Sequence, residues 1–334
     1  MTSTMGFDVN PDKFAAFDGE RKVCQASLNI VLFANDIDAN ADVVNAYDAF
    51  LAEFESEIKF QRSDLHQMHH RRIVKTRRAE TFGKMRSMLT NLSRGAWVEL
   101  HSGTSRDEWS PPYFRIGVDS RPRRGPGDQG MELSIQIPLQ WLERNSVAQV
   151  EAFIDRILGD RLPYEHGYVG FGLTWNFCSG RDEARLGPSF YQWLHSHPGL
   201  MAPATIAQKT PARYGIVDIG WITLLNQENA VRAGGADGIR DRFGAAYREQ
   251  LAIRPIANGG IAIKAGPLPQ FGAQPICSTL PLQAEVGKAL KCIWDDRSAV
   301  QVVNGFPRDP DFVDEKAWAS RFFAHQDQAT MNKA

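Results

Sequence analysis

The sharpest arrangement of chemically capable side chains in the sequence is His195-Ser196-His197-Pro198. A His-x-His-Pro run followed by a serine and an aspartate is the metal-binding signature of a zinc isopeptidase. Two imidazoles and a carboxylate hold the ion there, and an upstream glutamate handles the proton. In this chain the positions for serine and aspartate read Thr205 and Gln208. A neutral amide is a poor zinc ligand beside a carboxylate, so the third ligand is missing and the motif fails in its context. The same residues read more simply as a turn, with Pro198-Gly199 ending a helix that contains Tyr191, Trp193 and Leu194.

His66, His69 and His70 form a second cluster. On a helix His66 and His70 would share one face, the spacing of a two-histidine metal arm. No glutamate stands between them in the zincin arrangement, so a solvated face is the better reading. The run Arg71, Arg72, Lys75, Arg77, Arg78, Lys84 and Arg86 contains Glu80 as its one acid and could touch phosphates. Charge runs of this length are more often exposed helix and linker. The sequence has no Gly-x-Ser-x-Gly elbow, no glycine-rich phosphate loop and no His-Glu-x-x-His. We therefore assign no catalytic, metal-binding or cofactor-binding residue and expect no enzyme and no cofactor.

Composition sets the frame for these residues. The chain has 334 residues, 43% hydrophobic and 23% charged, which suits a globular protein with a real core. A formal net charge of -1 provides no global field for nucleic acid or an acidic membrane. The four cysteines (Cys24, Cys178, Cys277, Cys292) lie far apart, which argues against a zinc ribbon or a disulfide scaffold. No apolar leader core occurs in residues 1–20 and no apolar run reaches membrane-spanning length, so a reduced cytoplasmic protein is expected.

Residues 1–20 are polar and expected to be loosely held. Cys24–Phe33 reads as a strand with both faces covered. Asn40 caps a helix running from Ala41 to about Ile58, whose Val43, Val44, Tyr47, Phe50, Leu51, Phe54 and Ile58 form one stripe. A second helix spans roughly Arg77–Leu92, and three alternating strands follow at Ala96–Leu100, Tyr113–Val118 and Met131–Ile137. In the last of these, Glu132, Ser134 and Gln136 mark a wet face. A basic loop from Arg121 to Asp128 joins the second and third, and a helix over Val147–Leu158 leads to an aromatic strand, Tyr168–Phe177. Adjacent strands without helical crossovers imply an α+β fold, a largely antiparallel sheet with helices packed on it. We expect a single domain over residues 21–325 with lobes of about 21–180 and 181–325.

The second lobe is organised around Gly220–Gly272. The short apolar runs Tyr214–Val217 and Gly220–Leu225 suit buried strands. A polar segment with Gly234-Gly235 follows, then the hairpin signal Asn258-Gly259, then a strand from Ile261 into the turn Gly266-Pro267-Leu268-Pro269-Gln270-Phe271-Gly272. Prolines there fix φ, while Gly266 and Gly272 allow backbone angles other residues avoid. A helix over Leu280–Ile293 and a docked tail with Trp318, Phe322 and Phe323 complete the reading.

His197–Leu200, Ile219–Leu225, Gly234-Gly235 and Gly260–Gly272 occur in an order and spacing that resembles the type VI secretion immunity family, long catalogued as a domain of unknown function. The resemblance reaches back loosely to Cys24. It departs from the family pattern at Ala273, where an acid is usual, at His197, where an aromatic often precedes Pro-Gly-Leu, and at Leu282, where a tyrosine is common. It implies an antitoxin that binds a cognate effector injected between bacteria, with a nuclease as the expected partner, and blocks its active site or substrate path. It supplies no contact residues. From the residues themselves, a nuclease lined with cations should meet local acids, and the richest supply is Asp295, Asp296, Asp309, Asp311, Asp314 and Glu315. The loop residues Arg121, Arg123 and Arg124 are the next candidates. Two other readings stand beside this one: a metal-dependent hydrolase using His195 and His197, and a nucleic-acid-binding module using Arg71–Arg86.

Overall fold

The computed structural model describes residues 15–18, 21–34, 40–63, 71–92, 95–103, 114–121, 130–159, 165–175, 192–201, 215–256, 259–295 and 318–323. The chain divides into two compact units. The first holds residues 1–163, 173–178 and 209–211, and the second holds 164–172, 179–208 and 212–334. The division falls within the expected aromatic strand, between Gly172 and Leu173.

In the first unit the elements run β1 (Ala16–Asp18), β2 (Arg21–Ala34), α1 (Asn40–Phe54), β3 (Phe60–Ser63), β4 (Arg71–Arg72), α2 (Arg78–Leu89), β5 (Ala96–His101), β6 (Arg115–Arg121), β7 (Gly130–Pro138), α3 (Leu139–Arg144) and α4 (Val147–Leu158). The strands pair antiparallel in the order β2-β7-β6-β5-β3-β4, with β1 also on β2. The register places Ile30 opposite Ile135, which faces Ile116, which faces Leu100. These four residues are at most 2% exposed. The buried stripes of α1, α2 and α4, which pack against one another, form the rest of this core.

The opposite face of β7 is not wet. Ser134 and Gln136 are buried, as are Asn29 on β2, Glu99 on β5 and Arg115 on β6. The alternation was read correctly, but this polar face is buried, and several of its side chains bond to one another. Arg115 Nε lies 3.1 Å from Glu99 Oε1, and Thr174 donates to Ser27 Oγ, which donates to Asn29 Oδ1, both at 2.6 Å. Buried polar groups persist when their partners are built in.

Helix α1 stops at Phe54, four residues before Ile58. Its last turn holds no base, so Arg78 of α2 donates to the carbonyls of Glu55 and Ile58 at 2.9 and 3.0 Å. It thereby ties α2 to the turn that follows α1. Helix α4 starts at a capping box between Ser146 and Gln149, matching its expected span.

The second unit contains β9 (Ile222–Leu225), α5 (Gln227–Arg232), α6 (Gly235–Arg242), β10 (Leu251–Pro255), β11 (Ile261–Ala265), α7 (Ile276–Thr279) and α8 (Pro281–Leu290). With β8 (His166–Trp175), whose residues up to Gly172 belong to this unit, they form an antiparallel sheet in the order β10-β11-β9-β8. The expected polar segment around Gly234-Gly235 is two helices. Asn226 caps α5 by accepting from Asn229 N, and Gly234 breaks the run with φ 84°. The strand expected at Tyr214–Val217 is reduced to one bridge between Ile216 and Trp294. Tyr214 lies outside the described residues. The hairpin does form, β10 against β11, with Gly259 left-handed; Asn258 is outside the described residues.

The tail forms a helical turn at 318–323, with Phe322 and Phe323 in the apolar cluster of α7, α8 and β11. Two close approaches hold this unit together through main chain. A Cβ on Gly287 of α8 would collide with Phe322 O, and one on Gly199 with Gln270 O. Among the described residues no helix is long and apolar enough to cross a membrane.

Candidate functional site

Of the residues singled out for metal chemistry, His195 and His197 are among the described residues. His195 is exposed, and its carbonyl lies 3.4 Å from Gln274 Nε2. His197 ends the helical segment 192–196, and its Nδ1 lies 3.0 Å from the carbonyl of Gly272. A carbonyl only accepts, so this contact places the proton on Nδ1. The histidine is thus a clip between the His197–Leu200 turn and the end of the Gly266–Gly272 loop. Thr205, Gln208, His66, His69 and His70 lie outside the described residues. Among the described residues no group of three or more His, Cys, Asp or Glu could hold a metal ion.

The basic run splits by role. Arg86 makes a bidentate ion pair with Asp48 of α1, Lys84 pairs with Glu80, and Arg78 closes the end of α1. Arg71, Arg72, Lys75 and Arg77 are exposed. Arg71 and Arg72 form the short edge strand β4, where cations discourage pairing with another chain.

The blocks that gave the sequence its resemblance meet in the second unit. Gly199 N donates to Phe271 O at 2.8 Å, and Trp221 Nε1 donates to Gly266 O at 3.0 Å. Phe271 stacks on Phe171 of β8 with ring centres 4.1 Å apart. Gly266 and Gly272 have φ of 84° and 64°, as the turn required. The Arg321 guanidinium is the tie for the tail. It grips both oxygens of Asp218 at 2.8 and 2.9 Å, donates to Pro198 O at 2.8 Å, and lies 3.8 Å over the Trp318 ring. Both partners are 4% exposed. These blocks form a hydrogen-bonded and stacked frame.

In the first unit a pocket of about 500 Å³ opens at the end of α1. Its floor is Phe54, Phe114 and Trp141, with ring centres 4.6 and 5.6 Å from Phe54. Its mouth carries Glu53, Glu57, Lys59 and Arg144. Glu53 is held by Arg156 at 2.8 Å. Sequence reasoning missed this site, because its lining comes from four separate stretches of chain.

The sequence profile of the family described as TsiV, type VI immunity for VRR-NUC, matches residues 42–322. The chain belongs to this family. A solved structure described as "Pseudomonas aeruginosa T6SS protein PA0821" superposes with a TM-score of 0.74 at 18% identity, covering 91% of this chain and 83% of that one. At that identity the likeness speaks for the fold alone. Among curated proteins none matches the chain.

TsiV membership bears out the resemblance read from the glycine- and proline-marked blocks. It leaves the contact residues to be placed. Asp296, Asp309, Asp311, Asp314 and Glu315 lie outside the described residues, as do Arg123 and Arg124. The backbone of Arg121 ends β6. Asp295 is 8% exposed, so it belongs to the interior. It accompanies His166 of β8, which is fully buried. Burial pushes that imidazole from 6.5 down to about 3, and the nearby Asp295 charge opposes the shift.

Proposed function

We propose that this TsiV protein binds a VRR-NUC nuclease effector one to one and neutralises it by covering the active site or the path of its substrate. The observation that supports this is the family match across residues 42–322, most of both units. Inhibition of this kind needs no chemistry in the inhibitor. It needs a specific surface with a few buried anchors and charges that speed the encounter. Because the net charge is only -1, acids facing a cationic nuclease site must be local. The candidates are Asp296, Asp309, Asp311, Asp314 and Glu315, with Arg121, Arg123 and Arg124 next.

The test is a titration of nuclease activity on DNA with the purified protein. Cleavage should stop at one equivalent, and His195→Ala should protect as well as wild type. Charge reversal of Asp309, Asp311 and Asp314 together should slow association and reduce its salt dependence, with thermal stability unchanged. Inhibition far below one equivalent, or zinc whose removal abolishes protection, would overturn the reading.

A further inference from the structure

The pocket at the end of α1 has features that the fold of the first unit does not require. Three glutamates, Glu53, Glu55 and Glu57, stand at the C-terminal end of α1 with no base in its last turn. A helix C-terminus is the negative end of its dipole, so carboxylates there oppose helix stability. Two arginines from elsewhere offset part of this: Arg78 on the carbonyls of Glu55 and Ile58, and Arg156 on Glu53. Among the described residues Glu57, Lys59 and Arg144 enter no ion pair, although all three line one mouth.

Beneath that mouth the rings are arranged edge to face. Trp141 meets Phe54 at 75° and Phe153 at 63°, and Phe54 is 2% exposed while Phe114 and Trp141 are half-buried. A further ring entering the pocket would extend this cluster in the geometry aromatic pairs prefer. An apolar, ring-lined floor inside a charged rim is the anatomy of an interface hot spot, where a large anchor is desolvated and surrounding charges exclude water. Both signs are present on the rim, so a neutral anchor flanked by one acid and one base meets a complement for each.

Resting on the reading that this protein binds a nuclease effector, we infer that the α1-end pocket receives an aromatic anchor side chain of that effector. Glu57 pairs with a flanking cation of the partner and Arg144 or Lys59 with a flanking acid.

Two measurements on the full chain test this. In the first, the protein carries 5-fluorotryptophan, and the Trp141 resonance is identified by its loss in Trp141→Phe. N-acetyl-tyrosine methylamide should move that resonance saturably, with affinity at least about tenfold above N-acetyl-alanine methylamide, and Ser56→Trp, which plugs the mouth from an exposed position, should abolish the response. An equal response to both probes, or none, overturns the pocket. The second measures binding of the cognate VRR-NUC nuclease effector. Ser56→Trp and Glu57→Arg, both at exposed positions, should each weaken binding about tenfold. If wild type binds and both variants bind equally well, the pocket is not the anchor site and the proposed function stands. If wild type does not bind that nuclease, both fall together.

Discussion

Replacing Arg321 with methionine isolates the tie that fastens the 318–323 turn. The stem volume is roughly kept while the guanidinium goes. Asp218 is then left 3% exposed, accepting only from the Ile219 N–H at 2.8 Å among the described contacts. Removing one member of a buried ion pair costs about 3–5 kcal/mol, mainly because the other charge stays buried. The carbonyls of Pro198 and Leu200 also lose the guanidinium donor, which adds to the cost. Urea unfolding of Arg321→Met should therefore show a loss of at least about 3 kcal/mol. The companion Asp218→Leu should lose a similar amount for the opposite reason, a stranded guanidinium. Combined, the two should recover much of the loss, because neither charge remains. The pairwise coupling should be about 3 kcal/mol, well outside the roughly 0.5 kcal/mol scatter of independent sites. Additive losses, or a single-variant loss under about 1 kcal/mol, would show that the pair carries little and that Trp318, Phe322 and Phe323 hold the turn alone.

Trp221 is 2% exposed with its indole donating to Gly266 O, so Trp221→Ala should cost about 3–5 kcal/mol in the same unfolding assay. His166 stays neutral in the fold until about pH 3, while the unfolded chain takes up the proton near 6.5. Between those values the unfolded state binds more protons, so stability falls on acidification by up to about 1.4 kcal/mol per pH unit. His166→Gln should flatten that slope between pH 6 and 4, read from urea midpoints across the range. Burial pushes the Cys24 thiol up, whereas Cys277 and Cys292 are exposed. Iodoacetamide followed by peptide mass spectrometry should find Cys277 and Cys292 modified in the native protein and Cys24 only in urea.

Much of the first unit is legible in the sequence because its elements are long and periodic. Strand β2, helix α4 and the β5-β6-β7 meander each carry enough turns or alternations for period to decide. What was missed is short or depends on distant partners. β3 and β4 exist because β5 pairs with Phe60–Ser63, and nothing local in four residues announces that. Helices α5 and α6 hid in a polar stretch because their buried faces are small: Asn229 and Ala230 in one, Ile239 in the other. The wet face expected of β7 failed for a different reason. Alternation tells which residues share a face, but not that Glu99 and the Arg115 that donates to Ser134 would be buried there. The pocket was beyond reach because residues from Glu53 to Arg144 assemble it. The one local sign was the acidic end of α1, where a helix normally prefers a base.

The meeting of α8 with Phe322 and of the Pro198 turn with Gln270 is made by main chain against main chain, at positions where a side chain is missing. Such joints hold no chemical information that a partner could read. Outward-facing residues around them can be exchanged without renegotiating how the pieces fit, so joint and surface are separate. The cost is brittleness of a specific kind: one methyl group at Gly287 or Gly199 would undo what many surface substitutions leave untouched.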